Sequence, residues 1–161
     1  MGSSLRSSFS LLLGMSILLM GSGLIGTLLG LRAVSEGFSE LAIGIVMSAF
    51  FVGFIVGSWM IPALITRVGH IRTFAALAAL SSVAALAHAL WVDPVFWWVL
   101  RLISGISLLG SYMVIESWLN EQVVEKRGQV FAIYMMTSLF ALGIGQYLLL
   151  IYGPDAIQSF I

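Results

Sequence analysis

Five long apolar stretches separated by short polar breaks constrain the fold of this chain more than any other feature. A bilayer core about 30 Å thick is crossed by roughly 20 helical residues, and each stretch is long enough. Only helices or closed barrels satisfy the backbone in hydrocarbon, and the short alternating segments of a barrel are missing from the sequence. We therefore predict an all-α polytopic membrane bundle with spans at Leu11–Leu31, Leu41–Ile65, Thr73–Val92, Val95–Trp118 and Gln129–Tyr152.

The composition leads to the same class of protein. Apolar residues make up 60% of the 161 residues and charged residues 9%, which is more apolar surface than one soluble core of this size can bury. The formal net charge is zero with 7 Lys and Arg, so the chain offers no basic face to nucleic acid. The sequence has no cysteine, which excludes disulfides and thiolate metal sites.

Basic residues in the loops predict the orientation of the bundle. With a cytoplasmic N-terminus, the cytoplasmic side collects five basic residues and the opposite side only Arg32. We interpret the first span as a retained helix, because its apolar run is longer than a signal-peptide core. Trp91, Trp97 and Trp98 are then expected to form an aromatic belt around the outer Asp93–Pro94 turn. The five cytoplasmic basic residues are Arg6, Arg67, Arg72, Lys126 and Arg127.

The fourth span carries two ionisable residues, which are costly in a bilayer and often functional. Arg101 lies close enough to the outer end for its side chain to snorkel to the interface, so snorkelling, packing and a pathway role all remain open. Glu116 lies near the inner end of the same face. We expect it to pair with Arg67 or Arg127 in closing the cytoplasmic side, and a proton relay is the alternative.

Small and polar residues suggest how the helices meet. Small residues recur at every fourth position in two spans: Ser22, Gly26 and Gly30 in span one, and Gly53 and Gly57 in span two. This spacing predicts close helix packing rather than hinges.

The two histidines, His70 and His88, lack a second ligand at metal spacing, so we expect structural roles and no metal site. Other polar groups either form interhelical hydrogen bonds or line a cavity; the cavity candidates are Ser22, Tyr112, Tyr134, Thr137 and Gln146.

A membrane bundle of this kind could also be an enzyme or a structural subunit. An intramembrane serine protease needs a nucleophile in a suitable glycine-flanked context with a partner histidine, and a phosphate-handling enzyme needs clustered acids for Mg²⁺. The spans hold neither pattern, since Glu116 is their only acid, so we expect no enzyme. A membrane scaffold or assembly subunit without transport activity remains the alternative.

Several motifs together resemble the N-terminal half of a major facilitator superfamily transporter. They also resemble a largely uncharacterised bacterial subfamily within it. The motifs are the basic loop Arg67–Arg72, the Arg101-x-x-x-Gly105 pattern in span four, and the segments Glu116–Glu121, Arg127–Gln129 and Tyr134–Met136.

The chain departs from the family pattern at several positions. Pro62 stands where the family's loop motif has glycine, Thr66 where it has aspartate, and His70 where it ends on a basic residue. Span five also lacks the Gly-Pro signature of drug/proton antiporters. These differences weaken the expectation of proton-coupled drug export.

The resemblance implies a secondary transporter of the bacterial inner membrane that works by alternating access without a cofactor. We expect residues 1–161 to form one transmembrane domain, an incomplete six-helix half whose sixth helix starts at Ala156–Ile161. The implied partners are the lipid bilayer, the missing C-terminal half and a small-molecule substrate that the sequence does not identify. The resemblance also implies a gating or charge network of Arg67, Gly69, Arg72, Arg101, Gly105, Glu116 and Arg127.

Overall fold

A computed structural model describes the backbone of residues 2–122 and 127–152, and the side chains of residues 11–121 and 127–149. All regular structure within these ranges is helical, as predicted. The five helices are α1 (Gly2–Ser35), α2 (Glu40–Val68), α3 (His70–Ala87), α4 (Pro94–Gln122) and α5 (Arg127–Tyr152). The proposed start of a sixth helix at Ala156–Ile161 lies outside the described residues, as does Lys126.

Each of the five helices is long and apolar enough to cross a membrane. Large apolar side chains are exposed on every one of them, and lipid is the solvent that such surfaces require. The chain is therefore a multi-pass membrane protein in contact with the bilayer. Examples of these exposed side chains, one from each helix in chain order, are Ile17, Trp59, Leu86, Val95 and Leu139.

The predicted third span, Thr73–Val92, is wrong at both ends. Gly69 adopts a φ of +89°, a backbone conformation that favours glycine, and it ends α2 and begins α3 with a single residue. At the other end, the amides of Ala89 and Leu90 donate to carbonyls three residues back, which closes α3 in a tight turn. The apolar composition continues to Val92, so hydropathy could not show that the helix had already stopped.

The turns at the other helix ends follow from local chemistry. Gly37, with a φ of +77°, ends α1, and the Ser39 side chain accepts a hydrogen bond from the Ala42 amide at the start of α2. Asp93 does the same for α4 by accepting from the Phe96 amide at 2.8 Å. Pro94 then takes the first helical position, where its missing N–H has no consequence.

The described chain divides into two compact units. The first unit contains the residues up to Leu29 together with those from Ile115 onward, and the second contains Gly30–Val114. The boundaries fall inside α1 and α4, so each unit takes part of both helices. The first unit thus holds most of α1, the end of α4 and all of α5, whereas the second holds α2, α3 and most of α4.

A reciprocal glycine contact joins α2 and α4 in the second unit. A methyl group added at Gly53 would meet the carbonyl oxygen of Leu102, and one added at Gly105 would meet that of Phe50. Gly57 extends the contact by one turn, because a Cβ there would lie 3.3 Å from the Ile106 Cα. The predicted packing role of Gly53 and Gly57 is confirmed, and α4 lies backbone-to-backbone against α2.

The first unit has a matching contact between α1 and α5. A methyl group at Gly23 would meet the Leu142 carbonyl oxygen, and one at Gly145 would meet that of Met20. The predicted close contact at Gly26 and Gly30 is wrong for the described residues, because a Cβ at either glycine would find no described atom within 4 Å. The helix thus packs through the face that contains Gly23. On each helix the glycine comes three residues after the residue whose carbonyl the other glycine meets: Gly23 follows Met20 on α1, and Gly145 follows Leu142 on α5.

Candidate functional site

The predicted basic loop forms the junction of α2 and α3. Arg67 lies in the last turn of α2 and Arg72 in the first turn of α3, and both side chains are exposed. Gly69 stands between them, where its amide donates to the Ile65 carbonyl at 2.8 Å and its carbonyl accepts from the Thr73 amide at 3.1 Å. The structural reason for Gly69 is therefore its backbone conformation. It lets two helices follow each other with no intervening loop.

Arg101 is buried, with 7% of its surface exposed. Its guanidinium carbon lies 4.5 Å from the centroid of the Phe50 ring on α2, in cation–π geometry. The side chain therefore packs against α2 instead of snorkelling to the surface. Gly105 lies one turn further along α4 and permits this arrangement, because its lack of a side chain lets the Phe50 backbone approach.

Trp97, four residues before Arg101 on α4, packs against the rings of His88 and Phe38. Trp97 is fully buried, and its indole Nε1 donates to the Trp91 carbonyl at 2.9 Å. The ring of His88, just beyond α3, meets Trp97 edge-on with centroids 5.7 Å apart. Phe38, before α2, packs against the same indole at 5.2 Å. We refer to Phe50, His88, Trp97 and Arg101 as the α3–α4 cluster.

The histidine of this cluster lies outside the five helices and is held neutral. Its Nδ1 donates to the Ala84 carbonyl at 2.6 Å, because a carbonyl oxygen only accepts. Burial lowers the pKa of His88 to about 4, and the nearby Arg101 cation acts in the same direction.

The predicted aromatic belt is wrong about Trp97, which is a core residue. The sequence predicts a structural role for His88 but does not show which residues pack against it.

The first unit contains charged residues of its own. Glu116 is exposed on α4, and Arg127, at the start of α5, donates from Nη2 to the Asn120 carbonyl at 3.3 Å. Within the described part of this unit, no ion pair joins Glu116 to Arg127. The ion pairing expected of Glu116 therefore stays a prediction.

The five cavity candidates differ in their surroundings. Tyr134 is buried, Ser22 and Tyr112 are half-buried, and Thr137 and Gln146 are exposed. A polar stripe that sequence reasoning missed runs along α4, where the Ser104 and Ser111 hydroxyls donate to the carbonyls of Leu100 and Ser107. The Ser107 hydroxyl is fully buried and has no hydrogen-bond partner among the described residues.

Two other features carry little chemistry. An apolar groove of about 410 Å³ on α5 is lined by Leu139, Phe140, Gly143, Ile144 and Tyr147, and it suits lipid chains better than a polar solute. Among the residues that the structure describes, no group of three His, Cys, Asp or Glu side chains could hold a metal ion.

Comparison with known proteins relates the whole described bundle to one family. A family model described as Major Facilitator Superfamily matches residues 11–155. A protein named uncharacterized MFS-type transporter YcaD, from Escherichia coli, is 27% identical over 144 residues, which cover 89% of this chain and 38% of the relative. An uncharacterized MFS-type transporter from Yersinia pestis is 28% identical over 145 residues, with the same coverage.

The chain spans less than two fifths of the length of these curated relatives. No solved structure gives a significant match to it.

Proposed function

The chain belongs to the major facilitator superfamily, and from this premise we propose that it acts in secondary active transport, moving a small solute by alternating access. The family match over residues 11–155 carries this proposal, since it includes all or most of every helix. The names of the relatives also describe transporters. Transport of this kind leaves the solute chemically unchanged, so no catalytic group is needed.

The second part of the proposal concerns completeness. The chain covers 38% of the relatives' length, and the resemblance implies a fold of twelve spans in two halves. We propose that residues 1–161 supply one transmembrane domain, the greater part of the N-terminal half. The remaining spans of a complete transporter would supply the other wall of the substrate cavity.

The third part concerns placement in the cell. We propose the bacterial inner membrane with a cytoplasmic N-terminus, and the basic residues of the loops support this orientation. Arg67 and Arg72 at the α2–α3 junction are exposed, as residues of a cytoplasmic loop would be. The Glu36 turn between α1 and α2 would then face the periplasm.

Close helix contacts suit a protein that changes between two states. Where glycines let two backbones touch, as at Gly53 and Gly105, the helix pair resists internal shear. Helices joined in this way move as one body, and rigid-body motion is what alternating access requires.

Gating is proposed to involve charged residues near the cytoplasmic ends of the helices, with Arg101 and Gly105 supporting the core of α4. The charged residues of this cytoplasmic set are Arg67, Arg72, Glu116 and Arg127, and Gly69 belongs to it as the residue that joins α2 to α3. If Glu116 and Arg127 pair in one state of the cycle, neutralising either residue shifts the equilibrium by about 1–2 kcal/mol. A double-mutant cycle read by cysteine accessibility measures this coupling, and strictly additive effects would exclude the pair.

Transport itself is tested with uptake assays. The complete gene product, reconstituted in proteoliposomes, should show saturable uptake of at least one member of a broad panel of small solutes, dependent on an ion gradient. Gly105→Val in the same product should lose uptake, because α4 can no longer approach α2. Correct insertion without uptake of any solute, under proton or sodium gradients of either direction, would favour a scaffold role.

A further inference from the structure

Arg101 presents an uncompensated buried charge. Its side chain is 7% exposed, and its Nε has no hydrogen-bond partner among the described residues. Removing a guanidinium from water is costly unless an opposite charge and hydrogen bonds offset it. The cation–π contact with Phe50 offsets only part of this cost. A further partner, negatively charged, is needed to balance this site.

The acidic residues of the same unit do not supply that charge. Gly30–Val114 contains three carboxylates, those of Glu36, Glu40 and Asp93. Glu36 pairs with Arg32 at 3.3 Å, Asp93 caps α4 through the Phe96 amide, and Glu40 is exposed at the start of α2. Within the described residues of this unit, no carboxylate oxygen comes within 4 Å of Arg101.

His88 adds a second unsatisfied atom to the same cluster. Because Nδ1 donates to the Ala84 carbonyl, the neutral ring carries its proton there and presents a lone pair at Nε2. His88 is 3% exposed, and Nε2 has no hydrogen-bond partner among the described residues. The cluster thus combines a cationic donor on Arg101 with a neutral acceptor on His88. Trp97, which lies between these two residues in the sequence, packs against the histidine ring.

We propose that the α3–α4 cluster binds the carboxylate of a small organic solute, and in particular a hydroxycarboxylate. The planar edge of a guanidinium donates two parallel hydrogen bonds to the two oxygens of a carboxylate. A spherical halide ion cannot accept this pair of bonds. A hydroxyl on the same solute would donate to His88 Nε2, and the aromatic faces of Phe50 and Trp97 would cover its carbon skeleton. The inference rests on the proposed transport function for its physiological meaning, because a buried site fills and empties only when the helices open.

Binding is measured directly by isothermal titration calorimetry on the complete gene product, purified in detergent. The probes are sodium lactate, sodium acetate and sodium chloride at matched ionic strength. We expect saturable binding in the order lactate, acetate, chloride. Arg101→Gln should weaken both carboxylates at least tenfold, whereas Arg32→Gln should leave binding unchanged. Arg32 is a matched control, because its guanidinium already pairs with Glu36 at 3.3 Å.

A second variant tests the role of the histidine without removing the charge. His88→Asn retains a short side chain that can donate to the Ala84 carbonyl but lacks the Nε2 acceptor. It should reduce lactate affinity to that of acetate while leaving acetate binding within about twofold. This comparison remains informative even if Arg101→Gln fails to fold.

The proposal is overturned if neither carboxylate binds the unmodified protein saturably, or if Arg101→Gln binds them as tightly as the unmodified protein does. Chloride binding as tight as acetate binding would also overturn the carboxylate assignment. Failure of transport is a separate result. Saturable lactate binding by the complete gene product, with no lactate uptake in proteoliposomes, would contradict the proposed function of this site and leave the binding site itself established.

Discussion

The α2–α4 crossing and the α1–α5 crossing are built in the same way, with a glycine on each helix against a carbonyl of the other. They differ in what surrounds them. At α2–α4 the two glycines also face each other, since a Cβ on Gly53 would lie 3.0 Å from the Gly105 Cα, and Gly57 prolongs the contact. At α1–α5 the glycines Gly23 and Gly145 meet the backbones of larger residues.

The difference shows how one packing device serves two purposes. Both crossings give van der Waals contact and Cα–H···O geometry where the hydrophobic effect gives no help between helices. In the second unit, however, close approach also brings the Phe50 ring of α2 over the Arg101 guanidinium of α4. The α2–α4 crossing therefore positions a charge in the protein interior as well as holding two helices together.

The largest effect is expected at the α2–α4 crossing. Gly53→Ala places a methyl group against backbone atoms of Leu102, Gly105 and Ile106, none of which can rotate away. Overpacking of this kind costs about 1–3 kcal/mol, and the seam at Gly57 blocks an easy shift, so we expect the upper part of that range. Gly44→Ala on the same helix is the control, because no described atom lies within 4 Å of its Cβ position.

The free energy of unfolding in detergent, measured for both variants, checks this prediction. Gly44→Ala should be neutral or stabilise the protein by up to about 1 kcal/mol through helix propensity. Equal stability of the two variants would mean that α2 and α4 are not in backbone contact.

A somewhat smaller loss is expected at the α1–α5 crossing. In Gly145→Ala the new methyl group meets the Met20 backbone, and with no second glycine seam to resist a shift we expect a cost of about 1–2 kcal/mol. Gly143→Ala, two residues away on the opposite side of α5, meets no described atom within 4 Å and serves as control. If Gly145→Ala proves more damaging than Gly53→Ala, the proposed difference between the crossings is wrong.

Acid should weaken the second unit, because the buried His88 belongs to it. Burial, with Arg101 nearby, lowers the pKa of His88 to about 4, below the value of about 6.5 in an unfolded chain. The unfolded state therefore binds more protons between these values, and stability falls as the pH drops from about 6.5 towards 4, by up to about 1.4 kcal/mol per pH unit. Above pH 6.5 this contribution stays constant.

Denaturation curves across this pH range, compared for the unmodified chain and His88→Asn, check the prediction. The variant should have a flatter profile. Equal slopes for the unmodified chain and His88→Asn would contradict the prediction.

The smallest expected effect concerns the indole hydrogen bond. Trp97→Phe removes the donor to the Trp91 carbonyl and some buried ring area, for a loss of about 1 kcal/mol or slightly more. Trp98→Phe, at the neighbouring and half-buried position, should change stability by less than about 0.5 kcal/mol. Similar effects at the two positions would restore the interpretation that both belong to an interfacial belt.

Sequence reasoning predicted the five helices well, because hydropathy over some 20 residues reports directly on membrane insertion. It misplaced the ends of α3, since neither the positive φ of Gly69 nor the turn after Ala87 changes hydropathy. It also could not choose between faces of a helix. Gly23 and Gly26 lie one turn apart in span one, and only the packed helices show that Gly23 meets α5.

The candidate site was predictable in part. An arginine in an apolar span marked Arg101 as important, and the structure adds that it is buried against Phe50. The cluster around it depends on contacts between residues far apart in sequence, such as Phe38 and Trp97. A local pattern does not carry such contacts. Trp97 and Trp98 are neighbours in the sequence, yet one is buried and the other half-buried.

Labelling of single cysteines tests most directly whether this chain spans the membrane as a transporter half with its basic junction in the cytoplasm. The sequence contains no cysteine, so Glu36→Cys and His70→Cys each provide a background-free probe at opposite ends of α2. In intact cells, an impermeant thiol reagent added outside should label Glu36→Cys and should reach His70→Cys only after the membrane is opened. Strong labelling of His70→Cys from outside, with protection of Glu36→Cys, would contradict the account.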